Sequence, residues 1–248
     1  MTVPTRDAAP PYGGARTHGG VSPPGGAELM ERCHRAARHE GLAPALDVLS
    51  SAVLPGLLPC GPGGHAVVAA STYARAGAVW TDGVRHPRRP HLETPLAEAD
   101  LPGGPVVMLR VPPPEAADAD ADQEERAVLA LGLVWLRLGL SEALRAACVG
   151  RLARRRSGDA TLLQQQLVKG TVADVLVEQL EIRAVVTGAA SADLDLPMLH
   201  HLQRRITAAD REQVRLLGAS GYLTDSPGMT AYVSELLAEA HAAHEEGT

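Results

Sequence analysis

RLARRRSGDATLLQQQLVKGTVAD, residues 151–174, is the stretch on which the reading of this chain turns. It begins as the end of a helix. Four arginines, Arg151 and Arg154 to Arg156, crowd the last turn, where positive charge offsets the helix dipole. Gly158 breaks the helix, and a new amphipathic stretch opens with Gln164 to Gln166. Arginines beside a fresh helix N-terminus also suit a phosphate group, because guanidinium donors and unpaired backbone N–H groups converge there. Local chemistry alone leaves both readings open.

Downstream of the break, Leu163, Leu167, Val168, Val172, Val175, Leu176, Leu180 and Val186 fall mostly on one stripe. Lys169, Asp174, Glu178 and Glu181 take the other face. The same period predicts helices at about 123–156, 161–190, 195–218 and 226–245, punctuated by Gly158, Pro197 and the 218–227 segment. LLGASGYLTDSP, residues 216–227, reads as a helix stop with Gly218 as its cap. Ser226 and Pro227 then start the next helix. Four amphipathic helices in succession predict an antiparallel four-helix bundle.

Upstream, residues 1–26 are rich in Pro and Gly and are expected to be a disordered leader. Residues 27–111 read as a small helix-plus-strand region. A charged helix runs from Glu28 to Gly41, and Pro44 opens a second to about Leu54. HAVVAAS (65–71), AGAVWTD (76–82) and PVVMLRV (105–111) read as strands of one small sheet, and RHPRRPHLETP (85–95) as a basic connection. An acidic linker at 112–123 leads into a helical bundle domain at 124–248. The fold class is therefore mainly α: a C-terminal antiparallel four-helix bundle with a small N-terminal α+β region.

A net charge of −6 over 248 residues argues against a nucleic-acid footprint. Phe is absent, so Leu, Val and Ala must fill the core. Three scattered cysteines without a CxxC pair fit neither a disulfide framework nor a zinc site, and suit a reducing cytoplasm. The longest apolar run, Ala127 to Leu136, is too short for the roughly 20 residues that cross a bilayer. His34 and His39, and the adjacent His200 and His201, lack the spacing of a paired metal site. They read as solvated or structural, and Trp80 and Trp135 as core. Ser141 and Ser220 sit in no strand-to-helix nucleophile elbow.

Taken together, the two helix boundaries resemble the C-terminal helical domain of the acyl-CoA dehydrogenase family. That domain carries an Arg-x-x-x-Gly turn, a Gln and a Leu-Ala-Asp-like triplet, matched here by Arg154, Gly158, Gln165 or Gln166, and Val172-Ala173-Asp174. Its Gly-Gly-x-Gly-Tyr loop is matched by Gly218, Ala219, Ser220, Gly221 and Tyr222. The resemblance covers about 124–235. Ser157 replaces the family's Phe, Ala219 its second Gly, and Tyr232 to Glu235 its Arg-Asp-Ala segment.

The resemblance implies FAD as cofactor and an acyl thioester as substrate, with α,β-desaturation as the reaction. It casts Arg154 as phosphate partner, Gln166 as polar contact, and Gly158, Gly218, Gly221 and Tyr222 as the turn and loop beside the nucleotide. These contacts cross a dimer interface, so a homo-oligomer, or a hetero-oligomer with a longer paralogue, is expected. For the base, the resemblance offers Glu125 in EERAVLALG on the first bundle helix, or Glu246 in Glu246-Gly247-Thr248. Residues 28–111 are too few for the family's N-terminal and β domains. The alternative is therefore a flavin-free relative kept for dimerisation or scaffolding.

Overall fold

Asp122 accepts a hydrogen bond from the Glu125 N–H and so caps the central helix, α4, Gln123–Arg154. The structure is a computed structural model describing residues 26–112, 122–188, 194–223 and 226–242. Apart from edge residues, the expected leader and acidic linker lie outside these, as does Glu246-Gly247-Thr248. Alpha4 is apolar and long enough to cross a bilayer, yet 78% of its most apolar window is buried against other elements. It is a core helix, and the rest of the chain is arranged around it.

Three further helices complete the bundle: α5, Gln166–Gly188; α6, Leu196–Leu217; and α7, Pro227–Ala240. Two apolar clusters fix their directions. Leu131 to Leu138 of α4 meet Ile182 and Val186 of α5 and Leu199 to Ile206 of α6. At the other end Leu144, Cys148 and Leu152 meet Val168 and Val172 of α5, Leu217 of α6 and Ala231 of α7. Neighbours in sequence therefore run antiparallel, as the periodicity predicts. Asp195 caps α6 by accepting from the Met198 N–H, and Pro197 occupies its first turn.

The stripe read on α5 needs correction. Its buried residues are Val175, Gln179, Ile182 and Val186, whereas Leu167 and Leu180 are exposed. Exposed apolar residues, Leu167, Leu176, Val177, Leu180 and Val185, are spread around the rest of α5, so period alone could not say which face is inward. It also starts later than expected. Residues 156–161 form a two-stranded ribbon, β7 (Arg156–Ser157) with β8 (Ala160–Thr161), turned at Gly158.

The N-terminal region holds α1, Gly26–His39, α2, Leu42–Val53, and a short α3, Ala70–Arg75. Six strands, not three, form two sheets. One has the order β1 (Leu57–Cys60), β3 (Ala78–Thr81), β4 (Val84–Pro87); the other β2 (His65–Ala69), β6 (Gly104–Arg110), β5 (Thr94–Leu101). The stretch expected as a basic connection supplies β4 and the start of β5. The missed signal is Asp82-Gly83 between β3 and β4. Both have positive φ, 49° and 95°, as a two-residue hairpin turn requires. Helices α1 and α2 and both sheets share one core with Leu129 to Leu140 of α4 and Val233 to Ala240 of α7.

Candidate functional site

The antiparallel bundle brings the α4–α5 and α6–α7 turns to the same end. Leu152, Leu162 and Leu163 beside the first turn join Leu216 and Leu217 beside the second in one apolar cluster. At that end Arg154 and Arg156 are exposed, and Gln166 opens α5 in solvent. Among the described residues, none of Arg151, Arg154, Arg155 and Arg156 pairs with a carboxylate. Arg151 Nε is buried without a hydrogen-bond partner. Arg156 Nη2 donates to the Asp159 backbone oxygen at 2.9 Å, and the remaining exposed guanidinium donors are of the kind that suits an anionic group.

The glycine loop is a 3-10 turn, Gly218–Tyr222. Gly218 has φ +61 and caps α6 in open space. Gly221 is buried, and its carbonyl lies so close to Gly228 that a Cβ on Gly228 would sit 1.9 Å from it. The Ser226 hydroxyl donates to the same carbonyl at 2.9 Å. These contacts hold the loop against the start of α7. Beside it, a groove of about 470 Å³ runs between α6 and α7, lined by Thr207, Asp210, Arg211, Gly221, Tyr222 and Tyr232 among others. Neither Arg154 nor Gly158 nor Gln166 lines it.

A second cavity, about 550 Å³, opens between the sheets and the bundle. Its walls are Pro62 and Trp80 from the strand region, Leu129 and Leu133 of α4, Leu199 and Gln203 of α6, and Ala238 and His241 at the end of α7. Gly61 makes this closure possible, because a Cβ there would lie 1.7 Å from the Ala240 carbonyl. Asp82 and Arg126 stand at the rim, with Arg126 Nε 2.9 Å from Asp82 Oδ1 but not aligned for a hydrogen bond. Burial pushes His241 down to about 4 and also lowers His200, so both cavity imidazoles are neutral near pH 7.

No family model matches the sequence, and no curated protein matches it. Solved structures do. A variant of the Tcur3481-Tcur3483 steroid ACAD has a TM-score of 0.57 at 12% identity, covering 86% of this chain and 76% of that one. The ChsE4-ChsE5 complex from Mycobacterium tuberculosis gives 0.57 at 16%, with the same coverage, 86% and 76%. The acyl-CoA dehydrogenase from Slackia heliotrinireducens gives 0.50 at 12%, covering 91% and 72%. The fold is that of the acyl-CoA dehydrogenases.

Within this acyl-CoA dehydrogenase fold, Glu125 stands next to the interlayer cavity without lining it. Trp80 Nε1 donates to its Oε2 at 2.7 Å, and Arg85 pairs with its Oε1. Both carboxylate oxygens are thereby committed to the β3–β4 hairpin. Trp80 is core, as expected, at 2% exposure, and it also walls the cavity; His200, expected as solvated or structural, is half-buried in the same lining. Only the hairpin turn at Asp82-Gly83 could have signalled that Trp80 faces a boundary between layers. All three cysteines are buried, and burial raises the Cys33 and Cys60 thiols to about 12, far from reactive thiolates.

Proposed function

We propose that this chain is a subunit of an FAD-linked oxidoreductase that desaturates an acyl thioester, and that its site is completed by a second subunit. The observation that carries the reading is the common end of the bundle. There apolar residues flanking the arginine turn and the glycine loop share one cluster, and among the described residues four guanidinium groups have no carboxylate partner. Arg154 and Gln166 would hold the pyrophosphate side of the nucleotide, with the Gly158 turn, Gly218, Gly221 and Tyr222 beside it. FAD, when bound, supplies a two-electron acceptor for the hydride lost from the acyl chain.

The chain's own residues exclude water and orient. Trp80, Leu129, Leu133 and Leu199 wall the interlayer cavity with apolar surface. Glu125 holds Trp80 in that wall; a role as base would require its release from both Trp80 and Arg85. Two kinds of subunit suit such a division, and one structure of similar fold is described as a ChsE4-ChsE5 complex. The three thiols of this chain, all buried and free, suit a reducing cytoplasm.

The second reading, a flavin-free scaffolding subunit, draws on the glycine loop. A Cβ on Gly228 would clash with the Gly221 carbonyl at 1.9 Å, and one on Gly221 would crowd Leu217 and Val214 at 3.0 Å, so packing alone accounts for both glycines. Purification of the native assembly distinguishes the two. The first reading expects flavin absorbance that Arg154→Ala weakens. A colourless assembly that stays colourless with added FAD and with a longer co-expressed partner supports the second.

A further inference from the structure

Arg137 is fully buried in the bundle and has no carboxylate within ion-pair reach among the described residues. Neutral acceptors hold it instead. Nε donates to Ser234 Oγ at 2.9 Å, Nη2 to Thr207 Oγ1 at 2.8 Å, and Nη1 to the Gln203 backbone oxygen at 3.0 Å. The shortest of these bonds runs from Nη1 to Gln203 Oε1, at 2.6 Å. A guanidinium has donors only, so it can face only the oxygen of the Gln203 amide. The flip of that amide is thus fixed by chemistry rather than by choice.

This has a consequence for the interlayer cavity. Gln203 is 7% exposed and lines the cavity, yet its Nε2 has no hydrogen-bond partner among the described residues. An oriented N–H donor therefore stands over walls formed by Trp80, Leu129, Leu133 and Leu199. Arg126 belongs to the same lining, but its charge is already met by Asp82, 2.9 Å away, which leaves Gln203 as the donor on which the argument rests. A donor held in one orientation beside apolar walls suits a ligand that brings an acceptor to it. The volume suits a small molecule, which typically needs roughly 300–1,000 Å³.

We infer that Gln203, oriented by Arg137, is a ligand-positioning residue whose Nε2 donates to a carbonyl oxygen of a mainly apolar or planar ligand in this cavity. The inference rests on the interlayer cavity being the reacting site. Two carriers of that carbonyl are chemically available, a flavin ring and an acyl thioester.

The test uses the full chain with Trp135→Phe, which leaves Trp80 as the one remaining tryptophan and places the reporter in the cavity wall. Lumiflavin and S-octanoyl-N-acetylcysteamine are titrated separately. Neither needs the arginine end of the bundle, so the outcome is independent of whether FAD is held there. Saturable quenching by lumiflavin assigns the carbonyl to a flavin ring, and by the thioester to an acyl group. Gln203→Glu then keeps an oxygen for Arg137 but turns the cavity donor into an acceptor. It should leave the melting temperature unchanged or higher and weaken binding by about tenfold or more. Gln203→Leu should lose both stability and binding. The inference is overturned if neither probe saturates, or if Gln203→Glu binds its probe as tightly as the parent.

Discussion

Replacing Glu142 by Gln should detach α1 from the bundle energetically without changing side-chain shape. Glu142 of α4 is 7% exposed and binds three groups: Arg38 of α1 at 2.7 Å, Arg183 of α5 at 2.8 Å, and His34 of α1 at 3.3 Å. Gln keeps one acceptor oxygen and loses the charge. One charge-assisted bond disappears and the other becomes a guanidinium-to-amide bond without the ion pair, a full charge-assisted bond contributing about 1.5–3 kcal/mol. Arg38 and Arg183 are 42% and 34% exposed, so water recovers part of the loss. That discount leaves about 2–3 kcal/mol, at or below the usual loss on breaking a buried pair. In a chain of this size the melting temperature should fall by about 4–12 °C, measured by circular dichroism.

The pH dependence of that difference follows from the same contacts. Burial raises the Glu142 carboxyl, but the His34 hydrogen bond and the His34, Arg183 and Arg38 charges overcome it and hold the group below its ordinary value. A depressed carboxylate contributes stability that is full above the unfolded pKa and lost as pH falls through the folded one. Parent and variant should therefore converge below about pH 4. A melting shift under about 1 °C at pH 7, or one that persists unchanged into acid, would refute the reasoning.

Glu125→Gln should retain bound ligand and lower stability by about 1 kcal/mol, because Gln still accepts from Trp80 while the Arg85 pair, exposed on one side, is lost; a fully folded variant with all turnover abolished would instead identify Glu125 as the base. Gly228→Ala should destabilise by about 1–3 kcal/mol, since its Cβ must displace the Gly221 carbonyl; thermal denaturation showing no change would mean the loop is not held as described. Burial raises the Asp210 carboxyl to about 7, against opposing contributions from Ser141 and Arg137. An acid with a raised folded pKa loses stability as pH rises from its unfolded to its folded value. Asp210→Asn should accordingly gain on the parent between about pH 4 and 7 in urea titrations, and a constant difference across that range would contradict the assignment.

What the sequence made legible was whatever local periodicity and capping control. The bundle helices, the Asp122 and Pro197 starts and the Gly218 stop could all be read from side chains within a turn or two. Facing was not legible on α5, where Leu167 and Leu180 outside mimic Val175 and Ile182 inside. The strand region was under-read because β4 and β5 are mostly exposed and interrupted by prolines, so they lack an alternating apolar signal. The site divided along the same line. Arginines and glycines at helix ends stood out, whereas the Gln203 donor depends on a residue 66 positions away in α4, and no local pattern reports such a contact.

The central claim, that this acyl-CoA dehydrogenase fold completes a flavin site with a second subunit, is tested most directly by one measurement. The native assembly, purified after co-expression with a longer acyl-CoA dehydrogenase-like partner, is weighed by native mass spectrometry while its absorbance is recorded. The expected result is an oligomer containing this chain and FAD, whose flavin band weakens with Arg154→Ala. An assembly of the same mass that carries no flavin, and takes none up from excess FAD, would contradict it.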